Sequence, residues 1–228
     1  MYRFQDGIEF LRSLPDQSVD GIFTDPPWGS GPDIMGQANA PKLIADMFSE
    51  AERILKPNGR VLVWMGIRFI EMVMMANWQV SLCEGKIVAR KKLDYRWSIF
   101  CFYMPPRYFA NMEAYADQIL YFARSPQDSW PLKFNGKSLP QIYFKASAGK
   151  PDGIHPCSRP IKTIRDILLS WFRPGEYIID PFAGSDTTGV ACRELNLRYD
   201  SCEIDPIMYQ AGLARHAQGI LFEKGASL

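Results

Sequence analysis

The sequence holds few of the residues that mark a disulfide scaffold or a metal site. Its 228 residues include five cysteines and two histidines, and no two cysteines form a CxxC pair. An odd number of cysteines without such spacing indicates a reducing compartment and argues against a disulfide framework or a zinc site. His155 and His216 have no cysteine or aspartate at ligand spacing, so no metal is predicted.

The chain also lacks a long apolar run. Its first stretch, MYRFQDGIEFLRSLPD, carries charges throughout, so we expect neither a signal peptide nor a membrane span. With 47% apolar and 22% charged residues, the composition is typical of a globular protein rather than a disordered one. The length predicts a single domain over residues 1–228, with room for a small insertion.

The net charge of +1 hides an uneven distribution. Between Lys86 and Lys150 there are 11 Lys and Arg against four Asp and Glu, an excess of +7, while the remainder carries −6. A basic middle on an acidic body favours a face that binds a polyanion. An ordinary solvated surface is the alternative.

Strand and helix patterns alternate in the first and last thirds of the chain. Such alternation predicts an α/β fold with a doubly wound, mostly parallel sheet, in which ligands bind at the carboxyl ends of the strands. Apolar runs predict strands at 19–24, 60–65, 79–82, 86–89, 118–123, 177–179 and 199–203. Helical spacing predicts helices at 8–14, 42–56, 67–76, 159–171, 187–195 and 206–216, and 90–115 is predicted to be irregular.

A Pro-rich loop, DPPW, directly follows the first predicted strand. Its two prolines end the strand and leave carbonyl groups without local N–H donors. The Asp25 carboxylate and the Pro26 carbonyl can both accept hydrogen bonds from one NH₂ group, and Trp28 offers a flat face on which a base can stack. An amino group of a base is a weak nucleophile, and two acceptors return electron density to its nitrogen as it attacks. The bland alternative is an Asp-capped turn with a buried Trp.

A second loop, DPFAGS, lies between a predicted strand and a predicted helix near the end of the chain. Gly184 lets the backbone approach a ligand closely, and the helix after it offers free N–H groups. About twenty residues on, the next predicted strand ends in Glu203, where a carboxylate suits the two hydroxyls of a ribose. Together these features favour a nucleotide-like cofactor over a plain tight turn.

The two loops resemble those of the DNA amino-methyltransferases of restriction–modification systems and phages, with motifs (D/N/S)PP(Y/W) and DxFxGxG. The catalytic motif comes first, which is similar to the permuted beta group of that family. The segments SLPDQSVDGIFTDPPW, LKPNGRVLV and HPCSRP look like the family's approach to its catalytic loop, its next strand and its HPxxKP motif. The resemblance covers most of the chain. It implies a Rossmann-like, S-adenosylmethionine-dependent methyltransferase fold, with a mixed sheet of about seven strands, helices on both faces and circularly permuted motifs.

The resemblance further implies a bacterial or phage-encoded cytoplasmic enzyme that methylates the amino group of a flipped base in DNA. A leading Asp is similar to adenine enzymes more than to cytosine enzymes, so N6 of adenine is favoured. The implied catalytic residues are Asp25, Pro26, Pro27 and Trp28. The implied S-adenosylmethionine site comprises Asp6, Asp25, His155, Pro156, Arg159, Asp180, Phe182, Ala183, Gly184, Ser185 and Glu203.

The sequence departs from the family pattern at two positions and in the length of one segment. Asp186 stands where the motif has its second glycine, and we expect it to cap the following helix and to tolerate unusual dihedrals. Arg159 replaces the usual Lys, which keeps the charge and changes the geometry. The segment 125–154 is short for a target-recognition insertion, so we expect a short or relaxed target site, or a second subunit such as a homodimer partner. The candidate DNA-binding cations are Arg90, Lys91, Lys92, Arg96, Arg107, Lys133 and Lys137.

Other functions remain open at this point. Methylation of RNA adenine and of the cytosine amino group use related motifs. A catalytically weak, methyltransferase-like DNA-binding subunit is a further alternative because of Asp186. A dehydrogenase is disfavoured, since no GxGxxG fingerprint follows the first predicted strand.

Overall fold

Strands and helices alternate through much of the structure. The computed structural model describes residues 1–27, 39–66, 69–109, 112–124, 142–144 and 159–225. The strands are Tyr2–Phe4 (β1), Val19–Thr24 (β2), Leu55–Gly66 (β3), Trp78–Cys83 (β4), Lys86–Lys91 (β5), Asp94–Phe109 (β6), Met112–Ala123 (β7), Ile142–Phe144 (β8), Tyr177–Asp180 (β9) and Arg198–Glu203 (β10). The helices are Gly7–Ser13 (α1), Ala40–Ile54 (α2), Ile70–Ala76 (α3), Ile161–Trp171 (α4), Thr187–Glu194 (α5) and Pro206–Gly225 (α6).

Eight of these strands form one mixed sheet in the order β1-β10-β9-β2-β3-β7-β6-β8. The first five in that order run parallel, β7 is antiparallel to both β3 and β6, and β8 is parallel to β6. The chain passes from β2 outward to β3 but from β9 outward to β10, so the strand order reverses between β2 and β9. Open α/β sheets bind ligands at such a switch point, at the carboxyl ends of the strands.

Helices cover both faces of the sheet, and each face has its own apolar core. Along β3, Val61 and Val63 point into one core while Leu62 and Trp64 point into the other, as the two-residue period of a strand requires. The first core takes its helical residues from α1, α2 and α3, including Phe10, Leu11, Ile44, Phe48 and Val73. The second takes them from α4 and α5, including Ile164, Ile167, Leu168, Ala191 and Cys192. The predicted α/β fold is therefore confirmed.

The prediction that residues 90–115 are irregular is wrong. Strand β6 pairs with β7 from Asp94 opposite Ala123 to Phe109 opposite Met112, which makes a long antiparallel hairpin. The prolines at 105 and 106 fall within a register shift of this ladder, where a missing N–H is tolerated. Cations and aromatics interrupt the alternation of apolar and polar residues along β6, so the sequence gives no clear strand pattern there. The strand forms because it pairs with β7. Strand β1 was also missed, since three residues give no periodic signal.

Close packing on the central strand β2 depends on Gly21. A Cβ atom at this position would lie 2.1 Å from Cε1 of Phe172, the residue that follows α4. The Phe172 ring is buried and lies beneath the guanidinium of Arg60 at 5.0 Å. The end of α4 therefore packs directly on the backbone of the strand that leads into the DPPW loop.

We expect Gly21→Ala to lower the free energy of unfolding by about 1–3 kcal/mol, because the added methyl group must displace a buried ring. Urea denaturation of both proteins measures the difference. Gly66→Ala is the matched control on β3, where a Cβ would lie 3.6 Å from its nearest neighbour, an ordinary contact. Equal stability of the two variants would contradict this view of the packing.

Candidate functional site

The two Pro-rich loops meet at the switch point of the sheet. The hydroxyl of Thr24, the last residue of β2, donates a 2.6 Å hydrogen bond to Oδ1 of Asp180, the last residue of β9. The backbone N–H of Phe182 donates to the same oxygen at 3.1 Å. Asp25 follows Thr24 directly, so one buried carboxyl group joins the start of both loops.

The carboxyl group of Asp180 is almost completely buried, at 3% exposure. Burial raises its pKa to about 8, and the nearby charges of Asp186 and Asp25 act in the same direction. The hydrogen bonds from Thr24 and Phe182 lower the pKa but do not outweigh burial. Asp180 therefore keeps its proton at neutral pH and acts as an uncharged link between the loops.

Asp25 is held by an ion-pair network behind the DPPW loop. Nε of Arg159 donates to Oδ2 of Asp25 at 2.8 Å, and Nη1 of the same guanidinium donates to Oδ2 of Asp117 at 2.7 Å. The indole Nε1–H of Trp64 donates to Asp117 at 3.2 Å, and the Arg159 guanidinium lies 5.1 Å from the centre of the Trp64 ring. Arg159 thus contacts the catalytic candidate itself, whereas its predicted role at the methionine end of the cofactor stays a prediction.

The DPFAGS loop folds back on the end of β10. Gly184 has a φ of +53°, and its N–H donates to Oε2 of Glu203 at 2.8 Å. Oε1 of Glu203 accepts hydrogen bonds from the N–H groups of Ile204 and Asp205 at 2.9 and 2.8 Å. Burial raises the pKa of Glu203, partly offset by these donors. Glu203 therefore shapes the loop, and its contact with a ribose stays a prediction.

The start of α1 borders the same loop. The Asp6 side chain caps α1 by accepting from the N–H groups of Ile8 and Glu9, both at 2.9 Å. Gly7 permits a close approach, since a Cβ there would lie 2.4 Å from the carbonyl oxygen of Pro181. Asp6 lies beside the cofactor loop, at the carboxyl end of β1, although part of its hydrogen-bonding capacity is used by the helix.

These residues fit the chemical groups of S-adenosylmethionine. The carboxylates of Asp6 and Glu203 lie at the ends of adjacent strands, which suits hydroxyl donors such as those of a ribose. A Cβ on Gly184 would meet no atom of the described residues within 4 Å, which leaves space beside the loop backbone in that part of the structure. Among the described residues, no cluster of three or more His, Cys, Asp and Glu could hold a metal ion.

Several predicted site residues lie outside the described residues: Trp28, Lys133, Lys137, His155 and Pro156. Most of the predicted recognition insertion, 125–154, does so as well. Arg107 belongs to β6 by its backbone. The predictions for these residues stay predictions.

The candidate DNA-binding cations have different environments. Arg90 is exposed and pairs with Glu52 through both terminal nitrogens, while Lys91 lies 5.8 Å from the centre of the Trp78 ring. Arg96 is half-buried on β6. The ammonium of Lys92 donates to the carbonyls of Ala45 and Ala76 at 2.8 and 3.1 Å, and its predicted contact with DNA stays a prediction. Lys92 ties α2 to α3, and burial lowers its pKa.

Asp186 does not cap α5 in the predicted way. It is the N-cap residue of α5 and has left-handed dihedrals, but its side chain makes no capping hydrogen bond. Its oxygens instead accept from the hydroxyl of Tyr199 at 2.8 Å and from Nε2 of His216 at 2.6 Å. Sequence reasoning missed His216 and Asp117 as members of the site, because each lies on an element distant in sequence from the loop that it supports.

Comparison with known proteins identifies the family. A model of DNA methylases that modify N6 or N4 amino groups matches residues 19–213. The chain belongs to this DNA methylase family. The resemblance inferred from the two loops is thereby confirmed.

Relatives and solved structures are similar over most of the chain. The DNA adenine methyltransferase YhdJ of Escherichia coli K12 is 24% identical over 238 residues, covering 92% of this chain and 80% of its own. The structure of the M1.HpyAVI–SAM complex superimposes with a TM-score of 0.67 at 17% identity, covering 94% and 98% of the two chains. The PvuII cytosine-N4-specific methyltransferase gives 0.69 at 16% identity, covering 94% and 85%. These structures confirm the predicted methyltransferase fold. No helix in the described ranges is long and apolar enough to cross a membrane.

The raised pKa of Asp180 predicts a pH-dependent stability. An ordinary Asp ionises near pH 4, so between about pH 4 and 8 the unfolded chain has lost a proton that the folded protein retains. The stabilising effect of this proton is fully present below about pH 4 and is lost as the pH rises to about 8. Asp180→Asn cannot ionise, so we expect its stability to improve relative to wild type by more than about 1 kcal/mol across that range.

Urea denaturation at a series of pH values measures this difference. Asp166→Asn is the control, because Asp166 is a surface carboxylate paired with Lys162. A difference between Asp180→Asn and wild type that does not change with pH would refute the raised pKa.

Proposed function

We propose that this chain methylates the N6 amino group of adenine in DNA, with S-adenosylmethionine as the methyl donor. The observation that carries the proposal is the junction of β2 and β9, where Thr24 joins the Asp25 loop to the Asp180 loop. The family gives the reaction class, methylation of an amino group in DNA. The leading Asp of the DPPW motif favours adenine, and YhdJ is named as an adenine enzyme. The donor is supported by a fold neighbour solved as a complex with SAM.

The cofactor, when bound, supplies a methyl group activated by its sulfonium. The chain has to hold the amino group in line and stabilise the positive charge that develops on its nitrogen. The carboxylate of Asp25 and the carbonyl of Pro26 are the two acceptors for the N–H groups. Both interactions strengthen as the nitrogen becomes cationic, which lowers the barrier rather than only binding the base.

The charges behind Asp25 suit the same task. Asp25 and Asp117 both form ion pairs with the guanidinium of Arg159. The Arg159 and Asp117 side chains are only 12% and 4% exposed, so the surrounding water screens these ion pairs weakly. Arg159 also fixes one oxygen of Asp25 through Nε, which orients the carboxylate before the base arrives.

Target recognition is a further part of the proposal. The short segment 125–154, with the exposed cations Arg90 and Lys91, would contact DNA phosphates and read a short or relaxed site, with a second copy of the chain as the means of lengthening it.

The second candidate is methylation of the N4 amino group of cytosine. The PvuII enzyme, which is cytosine-N4-specific, shares the fold with a TM-score of 0.69. Two acceptors at the end of β2 serve a cytosine amino group by the same chemistry.

We expect incubation with labelled S-adenosylmethionine and unmethylated DNA to give 6-methyladenine after digestion to nucleosides. Asp25→Ala should abolish the transfer because it removes one acceptor. Asp166→Ala, a surface carboxylate paired with Lys162, is the control and should retain activity.

Methylcytosine as the product would establish the second candidate, and label in RNA or no label would overturn both. Sequencing the methylated DNA from the same reaction reads the target, and a long defined motif written by a monomer would contradict the short recognition site.

We expect Asp117→Asn to lower kcat by about tenfold, the effect of weakening one charged hydrogen bond. The loss of charge loosens Arg159 and hence the orientation of Asp25, so KM for the cofactor should change by less than about threefold. Steady-state kinetics separates the two parameters, with Asp166→Asn as the control. A rise in KM alone would instead assign Arg159 to the cofactor.

A further inference from the structure

The segment Gly184–Asp186 is held by hydrogen bonds from elements that are far away in sequence. The Tyr2 hydroxyl of β1 donates to the carbonyl of Gly184 at 2.5 Å. Arg215 of α6 donates from Nε to the carbonyl of Ser185 at 2.9 Å, and from Nη2 to the Ser185 hydroxyl at 3.0 Å. His216 of α6 bonds Asp186. Three successive residues of the cofactor loop are therefore held by β1 and α6, in addition to the contact of Gly184 with Glu203.

Asp186 occupies a conformation that most residues avoid. Its φ and ψ of +53° and +43° are left-handed, a region that glycine, the residue of the family motif at this position, adopts at little cost. The side chain is also completely buried, and a buried carboxylate is costly unless hydrogen bonds satisfy it. Something in the fold must offset both costs.

Residues of α5, β10 and α6 accommodate this carboxylate. Gly189 of α5 makes room for it, since a Cβ there would lie 2.3 Å from Oδ2 of Asp186. The Tyr199 hydroxyl on β10 donates to Oδ1 at 2.8 Å, and His216 lies 2.6 Å from Oδ2. Each carboxylate oxygen thus has a partner from a different element.

The tautomer of His216 follows from its other neighbour. Nη2 of Arg193 lies 3.2 Å from Nδ1 of His216, and a guanidinium can only donate. Nδ1 is therefore the acceptor, and the ring proton is on Nε2, where it donates to Asp186. Arg193, His216 and Asp186 form a chain of hydrogen bonds with one consistent direction.

We propose that Asp186 and His216 are positioning residues for the cofactor loop, and that α6 supplies through them the left-handed turn that a second glycine otherwise provides. This inference rests on the proposed function, because it concerns binding of S-adenosylmethionine to the same loop. The departure at position 186 is then an alternative way to fix the loop, and it does not indicate a defective cofactor site.

The test is calorimetric titration with S-adenosylmethionine, together with steady-state kinetics on DNA, at a temperature where circular dichroism shows every variant to be folded. His216→Ala should raise the dissociation constant by about tenfold, as for one lost buried hydrogen bond to a charge. His216→Gln should stay within about threefold of wild type, because its amide nitrogen can reach the position of Nε2. At saturating cofactor, kcat should change by less than about twofold in both variants.

Asp186→Asn tests the polarity of the network without changing its size. The amide can turn its oxygen to the N–H of His216 and its NH₂ to the Tyr199 hydroxyl, which accepts as well as donates. The hydrogen bond from His216 then lacks a charged acceptor, so the dissociation constant should rise, by less than in His216→Ala. The double variant Asp186→Asn/His216→Ala should be no weaker than either single variant, because both remove the same interaction. Should His216→Ala fail to fold, His216→Gln and Asp186→Asn still supply the comparison.

The control is Glu194→Ala on the same helix α5, which removes a half-exposed ion pair with Arg165 and should leave cofactor binding unchanged. If wild type binds and methylates while His216→Ala and Asp186→Asn bind the cofactor as tightly as wild type, the inference is overturned and the proposed function stands. If the effects of Asp186→Asn and His216→Ala on the dissociation constant are additive, Asp186 and His216 have only a general structural role. The same conclusion follows if Glu194→Ala weakens cofactor binding as much as these variants do. If wild type does not bind S-adenosylmethionine, both the inference and the proposed function are overturned.

Discussion

The hydrogen bond from Thr24 to Asp180 is the interaction on which the rest of the site depends. It spans the point where the strand order reverses, between β2 and β9, and each of its residues leads directly into one Pro-rich loop. Two parallel strands bring the loops that follow them to the same edge of the sheet. The distance between the two loops is then set by the groups that join them, here Thr24 and Asp180. Both residues are buried, so this hydrogen bond is shielded from solvent. It is therefore stronger than it would be in water.

Several carboxyl groups lie in the described part of the site, and each has a different environment. Asp180 is buried with neutral hydrogen-bond donors and keeps its proton. Asp25 and Asp117 both pair with Arg159, which orients the Asp25 carboxylate. Asp186 is satisfied by a hydroxyl and an imidazole. Burial, pairing and hydrogen bonding thus divide acids of the same type into different roles.

The local patterns predicted most of the regular structure. Strand β2 has its predicted bounds, and the helices of the last third begin within two residues of those expected. Predictions succeeded where an apolar period of 2 or 3.6 residues continued for at least a turn or a short strand. They failed at β6, where the alternation is blurred by Arg96 and by two prolines and the strand is defined by its partner β7. A hairpin ladder is a long-range contact, which no local window contains.

The sequence by itself determined the positions of the two loops and predicted their chemistry, because DPPW and DPFAGS are each a few consecutive residues that follow a strand. Only the tertiary structure decided which distant residues complete them. Arg159 pairs with Asp25 across 134 positions of sequence, and His216 reaches Asp186 across 30. The physical reason is that a buried charge needs a partner in space, and the packing of α4 and α6 on the sheet chooses that partner.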